Sequence, residues 1–194
     1  MMSCPRIRKI VLGERKTCML CCNEYKVMIQ EDQTFTIDST DNIAYQYIFN
    51  PYQYTKNDKI KVFQIDIQNQ QKNIRIALIG SFYSYMQDCA ILEEEVLIVL
   101  MNHVISKISL HTFQLVQSKL LKQFGTYFSI YKYKNGYVIY GEIDIVGLDT
   151  DLNIIWTYSG KDIFVTQSGE EAFKICGDTI YLIDWNGEKY QINR

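Results

Sequence analysis

The sequence predicts an all-β protein from three observations: its residue usage, a hairpin at its carboxyl end, and the recurrence of similar hairpins along the chain. Tyr, Ile, Val, Phe and Thr are plentiful and there are only two prolines, which favours strands. The closing segment has a short apolar strand at residues 179–184 and an alternating strand at residues 188–192. Between them, Asn186 and Gly187 can take the positive φ angles of a tight type I′ turn.

Three earlier stretches of the chain resemble the closing hairpin. Residues 21–38 align with residues 176–193 without a gap, and two further copies begin at Cys89 and Phe128. The first turns of the later copies are spaced by about 42 residues, a period that is typical of a β-propeller blade. The sequence therefore predicts a small propeller-like array of four or five antiparallel blades, with a β-sandwich or a barrel as the alternative.

The predicted blades form one all-β domain, residues 1–194. The stretch 42–84 does not fit the period, so it is either an irregular blade or an inserted hairpin. A short helix is a further alternative at residues 113–124, where the apolar spacing also fits a helix. We expect the approximate repeats near residues 18–50, 88–118, 128–158 and 172–193.

The last copy ends after its third strand, which would leave an unpaired edge. Residues 8–13, RKIVLG, form an apolar segment that precedes the first repeat and belongs to none of the copies. Propellers commonly close their ring with a strand from the other end of the chain. We therefore expect residues 10–12 to pair with residues 188–192.

Residues 147–160, GLDTDLNIIWTYSG, resemble the repeat of quinoprotein-type β-propellers, in which a Leu-Asp pair leads through a glycine turn to a strand bearing Trp. Leu148, Asp149 and Trp156 match that repeat. Residues 152–153 stand where the family has glycine, and asparagine tolerates the left-handed conformation that such a turn needs. The resemblance implies the propeller fold. No quinone or other cofactor is predicted, because the family's quinone-binding residues cannot be placed in this chain.

Charge and hydropathy argue against several classes of function. The net charge is −2, and no basic cluster is longer than RIRK, so a nucleic-acid partner is not expected. No apolar run approaches the ~18 residues of a membrane span, and the amino terminus lacks the apolar run of a signal peptide. We therefore expect a cytoplasmic protein without a membrane partner, whose six cysteines are reduced.

Cys18, Cys21 and Cys22 form the most suggestive cluster for metal or redox chemistry, because C-x-x-C spacing can supply half of a zinc site. A structural zinc site needs a second ligand pair, and no other C-x-x-C or C-x-x-H occurs. The histidines His103 and His111 both fall in a distant repeat. We interpret the cluster as buried structural thiols and predict no bound metal.

Two acidic motifs suggest other chemistry. Residues 149–153, DTDLN, begin like a calcium loop, but Ile154 and Gly160 stand at the positions that require glycine and glutamate, so a solvated turn is expected. Glu142 and Asp144 are expected on one face of a strand, where paired carboxylates could do acid–base work around a central cavity. An enzyme, a hydrolase or lyase, built on this pair is the alternative function. The sequence assigns no catalytic residue.

Trp185 is the residue for which the sequence indicates a binding role. It directly precedes the turn of the closing hairpin, where a large aromatic side chain is not needed for a core. Exposed aromatic residues of this kind are frequent anchors of binding; alternatively, the ring folds back onto a neighbouring blade. We predict a non-catalytic binding or interaction module with another protein as its partner. An inhibitor or immunity-type protein is one form of this hypothesis.

Overall fold

A computed structural model of the protein describes residues 17–122 and 124–194. Within these ranges the chain has sixteen strands in four sheets and no helix, which confirms the predicted all-β class. None of the four described sheets closes into a barrel. The helix considered at residues 113–124 is wrong, because residues 115–120 form a strand. The chain divides into two compact units, Met1–Leu121 and Lys122–Arg194.

The first sheet of the first unit has five strands. They are β1 (Thr17–Cys22), β2 (Tyr25–Glu31), β3 (Tyr47–Phe49), β4 (Ile60–Gln68) and β5 (Asn73–Ser81). Their order is β1-β2-β4-β5-β3, and all pairs are antiparallel except β3 with β5. Because the β4–β5 hairpin joins β2 directly, the segment 42–84 enlarges the first sheet and forms no further sheet.

The alignment of residues 21–38 with the closing hairpin predicts a third strand around Phe35, and this strand does not form. Residues 32–46 are a loop, and β4 pairs with β2 in its place. The Asp32 carboxylate causes the chain to turn away, because it accepts hydrogen bonds from the Thr34 N–H at 2.9 Å and the Tyr45 hydroxyl at 2.6 Å. The loop then covers a small apolar cluster in which Phe35, Ile37, Tyr45, Tyr54 and Ile60 pack against Val62, Ala77 and Ile79.

The second sheet of the first unit is a four-stranded antiparallel meander. Its strands are β6 (Ala90–Glu93), β7 (Val96–Met101), β8 (Val104–Ser109) and β9 (Leu115–Leu120), in the order β6-β7-β8-β9. The two sheets of this unit share one apolar core, since inward residues of both belong to the same buried cluster. That cluster includes Leu20, Val27, Ile29, Ile65, Leu78, Leu97, Val99 and Ile108.

The second unit also contains two antiparallel sheets. The first consists of β10 (Tyr127–Tyr133), β11 (Gly136–Gly141), β12 (Asp144–Leu148) and β13 (Ile154–Ser159), and the second of β14 (Phe173–Cys176), β15 (Thr179–Ile183) and β16 (Lys189–Ile192). Both sheets contribute to a core that includes Val138, Ile145, Phe164, Phe173, Ile180 and Leu182. Residues 10–12, which we expect beside residues 188–192, lie outside the described residues.

The indole ring of Trp156 covers the neighbouring residue Gly147 and leaves no room for a side chain at that position. Gly147 on β12 pairs with Trp156 on β13, and a Cβ atom built on Gly147 would stand 2.1 Å from Cε2 of the indole ring. The ring also packs edge-on against Tyr133, with 6.5 Å between the ring centroids. In this chain the Gly–Trp pair therefore closes one side of the apolar core of the second unit.

Replacing Gly147 by Ala should destabilise the second unit, because the added methyl group overlaps the indole ring of Trp156. Overpacking of this kind costs about 1–3 kcal/mol, which urea denaturation followed by far-UV circular dichroism can measure. The double variant Gly147→Ala, Trp156→Leu should recover part of the loss. Gln70→Ala, in an exposed loop, is the control and should stay within about 0.5 kcal/mol. An unchanged midpoint for Gly147→Ala would contradict the close contact.

Candidate binding surfaces

The closing hairpin has a three-residue loop in place of the predicted two-residue type I′ turn. Ile183 pairs with Lys189, and the Asp184 N–H donates to the Glu188 carbonyl at 3.0 Å. Only Gly187 in this loop has positive φ, at 81°, and its N–H donates to the Asp184 carbonyl at 2.9 Å. A type I turn followed by a left-handed glycine has these features, so the predicted turn type is wrong although the hairpin is present.

The three-residue loop forms because the Asp184 carboxylate accepts hydrogen bonds from backbone N–H groups of the hairpin. Oδ1 accepts from the N–H groups of Asn186 at 3.0 Å and Glu188 at 2.9 Å, and Oδ2 accepts from the Tyr190 hydroxyl at 2.6 Å. Asp184 is buried. The hydrogen bond from Tyr190 is the main cause that lowers the pKa of the Asp184 carboxyl below its ordinary value. The hairpin tip is thus built around an ionised, internally bonded carboxylate.

Trp185 lies at this tip with its backbone held on both sides. Its N–H donates to the Ile163 carbonyl at 2.8 Å, and its carbonyl accepts from the Gln167 side chain at 3.2 Å. The neighbouring Asn186 side chain donates to Asp162 at 2.7 Å. The backbone of Trp185 is therefore fixed by hydrogen bonds, while 43% of the residue remains exposed to solvent.

A second exposed aromatic group lies in the first unit, in the segment that links β5 to β6. Phe82, Tyr83 and Tyr85 are 52%, 67% and 47% exposed, and we call residues 82–85 the aromatic loop. The rings of Phe82 and Tyr83 meet edge to face, with their centroids 5.7 Å apart. Met86 and Cys89, which follow directly, are buried in the core of the unit. The three rings therefore stand on a segment that is anchored at both ends.

Hydrogen bonds within the aromatic loop hold it in one conformation. The N–H and the hydroxyl of Ser84 both donate to the Ser81 carbonyl, at 3.0 and 2.6 Å. The Lys61 ammonium donates to the Ser84 carbonyl at 2.8 Å and lies 5.8 Å from the centre of the Phe82 ring. The same ammonium is 3.7 Å from Glu31. Since these groups fix the backbone, the exposure of the aromatic side chains results from a defined turn.

The aromatic loop was not predicted from the sequence. The signal that could have identified it is the stretch SFYSY, which places three aromatic residues among four positions directly after an apolar strand. Strand alternation would bury every second side chain, and serines on both sides of a pair of rings favour a turn.

The cysteine cluster does not converge. Cys18 and Cys21 lie three positions apart on β1, so they point to opposite faces of the sheet; Cys21 is exposed, whereas Cys22 is buried. The interpretation as buried thiols is therefore wrong for Cys21. His103 and His111 lie in the turns at the two ends of β8, a separation of about 20 Å. In the described ranges no three His, Cys, Asp or Glu side chains are placed to share a metal ion.

The two acidic residues of the alternative enzyme are not on one strand face. Glu142 lies in the turn between β11 and β12, whereas Asp144 begins β12 and is buried. Asp144 faces the buried Tyr127: burial raises the pKa of that tyrosine, and the nearby carboxylate raises it further. The expectation of a paired acid–base site on one face is therefore wrong.

The calcium-like motif forms a turn of the same construction as the closing hairpin. The Asp149 carboxylate accepts from the N–H groups of Asp151 at 2.9 Å and Asn153 at 2.7 Å, and from the Asn153 side chain at 2.8 Å. Leu152 takes the left-handed position, with φ at 59°. The Asp149 carboxylate oxygens, which a calcium ion would need as ligands, instead accept hydrogen bonds within the turn.

Comparisons with known proteins add little to this geometry. No protein-family model matches the chain, and no curated protein matches it. Among solved structures it is similar to one described as "AfRom2 CNH domain", with a TM-score of 0.45 and 9% sequence identity over 96% of this chain and 70% of that chain.

In the described part of the chain no helix is long and apolar enough to cross a membrane. The function is therefore argued from the residues described above.

Tyr190→Phe should weaken the protein in a pH-dependent way, because it removes the hydroxyl that lowers the pKa of Asp184. A carboxyl whose folded-state pKa lies below its ordinary value of 3.8 contributes stability that is present above that value and is lost as the pH falls through the folded-state pKa. Urea midpoints of the variant and the wild type should therefore differ at about pH 6 and approach each other at about pH 3.

Tyr181→Phe is the matched control, because Tyr181 is an exposed tyrosine on β15. It should show no such pH dependence. A Tyr190→Phe variant that differs from the wild type by the same amount at both pH values would show that the Tyr190 hydroxyl does not act through the ionised Asp184.

Proposed function

We propose that the protein is a non-catalytic interaction module whose partner is another protein. The observation that carries the proposal is the aromatic loop, in which Phe82, Tyr83 and Tyr85 are about half to two-thirds exposed on a hydrogen-bonded turn. Aromatic residues are enriched at protein interfaces, where they supply large contact areas. A side chain that is already held in place loses little entropy on binding.

The charge near the loop favours a protein partner over a nucleic acid. The Lys61 ammonium, which lies at the loop, is occupied by the Ser84 carbonyl, the Phe82 ring and Glu31, so it is not offered to phosphate groups. The loop provides the touching rings of Phe82 and Tyr83 and the exposed Tyr85. This apolar surface with two phenol hydroxyls has the composition of an interface centre. The proposal retains the expectation of a cytoplasmic protein.

The proposal includes the propeller-like fold as the scaffold of the module. Support comes from the sheets β6–β9 and β10–β13, because each is a four-stranded antiparallel meander in sequence order, the topology of a propeller blade. In such a scaffold the strands build the cores and the connecting loops carry the binding residues. The aromatic loop is a connection of this kind, between β5 and β6.

Replacing Phe82, Tyr83 and Tyr85 together by Ser should abolish partner binding without unfolding the protein. The wild-type chain is immobilised, partners are captured from native lysate and identified, and the affinity of one purified partner is then measured for each variant. Loss of an aromatic anchor group lowers affinity by about thirtyfold or more. The melting temperature should change little, because these side chains lie outside the core.

The matched control is the triple variant Val116→Ser, Leu120→Ser, Phe124→Ser, which removes three other exposed apolar side chains. It should bind the partner like the wild type. If the control loses binding to the same extent, the contact is general surface adhesion. If the aromatic-loop variant keeps its affinity, the loop is not the interface.

A further inference from the structure

We propose that the hairpin bearing Trp185 is a second contact surface, and that it accepts an arginine side chain of a partner protein. This inference rests on the proposed function as an interaction module and adds the chemistry of one contact. It is carried by two independent features of the second unit: an exposed indole ring on a hydrogen-bonded backbone, and an excess of carboxylates in the hairpin and the adjoining loop.

The negative charge is local. Residues 160–171 lie beside the hairpin, because the Trp185 N–H bonds to Ile163 and the Ile183 N–H bonds to Ala172 at 2.9 Å. The loop and the hairpin together carry five carboxylates and two ammonium groups, a local net charge of −3, whereas the whole chain has a net charge of only −2. The seven charged residues are Lys161, Asp162, Glu170, Glu171, Asp184, Glu188 and Lys189.

Two of these carboxylates are already used by the fold, and others remain accessible. Asp184 bonds within the hairpin, and Asp162 accepts from the Ile163 N–H and the Asn186 side chain. Glu188 is different, because its carboxylate pairs with the exposed Lys161 ammonium, at 2.7 Å. Exposed ion pairs of this kind are weak, so an incoming cation can replace Lys161 at Glu188. Glu170 is exposed as well.

The ring and the charge together select a planar cation. The face of an indole ring attracts cations, and tryptophan is the best of the aromatic residues for this contact. A guanidinium group stacks flat on such a ring while its N–H groups bond a carboxylate in bidentate fashion. An ammonium group cannot do both equally well. Trp185 supplies the ring, and Glu188 in the same hairpin supplies a replaceable carboxylate, so arginine fits better than lysine.

The aromatic loop of the first unit has the opposite character. A cation already lies over its Phe82 ring, from Lys61 of the same chain, whereas within the described residues no cation lies over the Trp185 ring. The two surfaces therefore suit different features of a partner. The aromatic loop suits an apolar patch, and the Trp185 hairpin suits a cationic side chain.

The test is a titration of the full chain with the peptide acetyl-Arg-Arg-Arg-amide, followed by the indole N–H signals in ¹⁵N-resolved NMR. We expect a saturable shift of the Trp185 indole, with the Trp156 indole unaffected because its ring packs on Gly147. The tri-lysine peptide should bind about threefold or more weakly. Trp185→Leu should weaken binding of the arginine peptide about tenfold and Glu188→Gln about threefold.

Tyr181→Ser is the matched control, since Tyr181 is exposed to a similar degree to Trp185 on the same sheet; it should bind the arginine peptide like the wild type. The inference is overturned if the Trp185 indole does not shift, or if Trp185→Leu binds the peptide as the wild type does. A partner that is lost by the aromatic-loop variant but retained by Trp185→Leu would leave the proposed function standing and refute this inference alone.

Discussion

Hydrogen bonding between strands that are neighbours in sequence is the interaction on which the rest of this structure depends. In three of the four described sheets every strand pairs with the strand before or after it, so the chain must reverse direction within a few residues at each sheet end. The sheets bury their apolar faces against one another in two cores, one in each unit. The side chains available to contact a partner are therefore mainly those on the connecting turns.

The acidic residues of the turns serve the backbone. Asp32, Asp149 and Asp184 each accept hydrogen bonds from N–H groups two to four positions further along the chain. Asp149, which suggests a calcium site in the sequence, thus stabilises a turn in the structure. Asp184 fixes the backbone of the turn that carries Trp185, and a backbone that is already ordered lowers the entropic cost of binding. This links the turn chemistry to the proposed contact surface at Trp185.

The strands and hairpins could be predicted from the local residue pattern, whereas the pairing of strands that are distant in sequence could not. The closing hairpin was predictable because Asn186 and Gly187 interrupt two apolar runs; its turn type was not, because the Asp184 carboxylate widens the loop. The missing strand at Phe35 depends on Asp32 bonding Tyr45, thirteen positions away. Trp185 was found because it adjoins a turn signal. The aromatic loop lacks glycine and proline, so only the weaker turn signal of its serines marked Phe82.

The central claim is that a fixed backbone presents the aromatic side chains of residues 82–85. Backbone ¹⁵N relaxation of the full chain tests it most directly at the amides of Tyr83 and Ser84, which donate to Ser81. The account predicts order parameters close to those of the adjoining strand β5, about 0.85. Values below about 0.6 at these amides would show a flexible loop and contradict the claim.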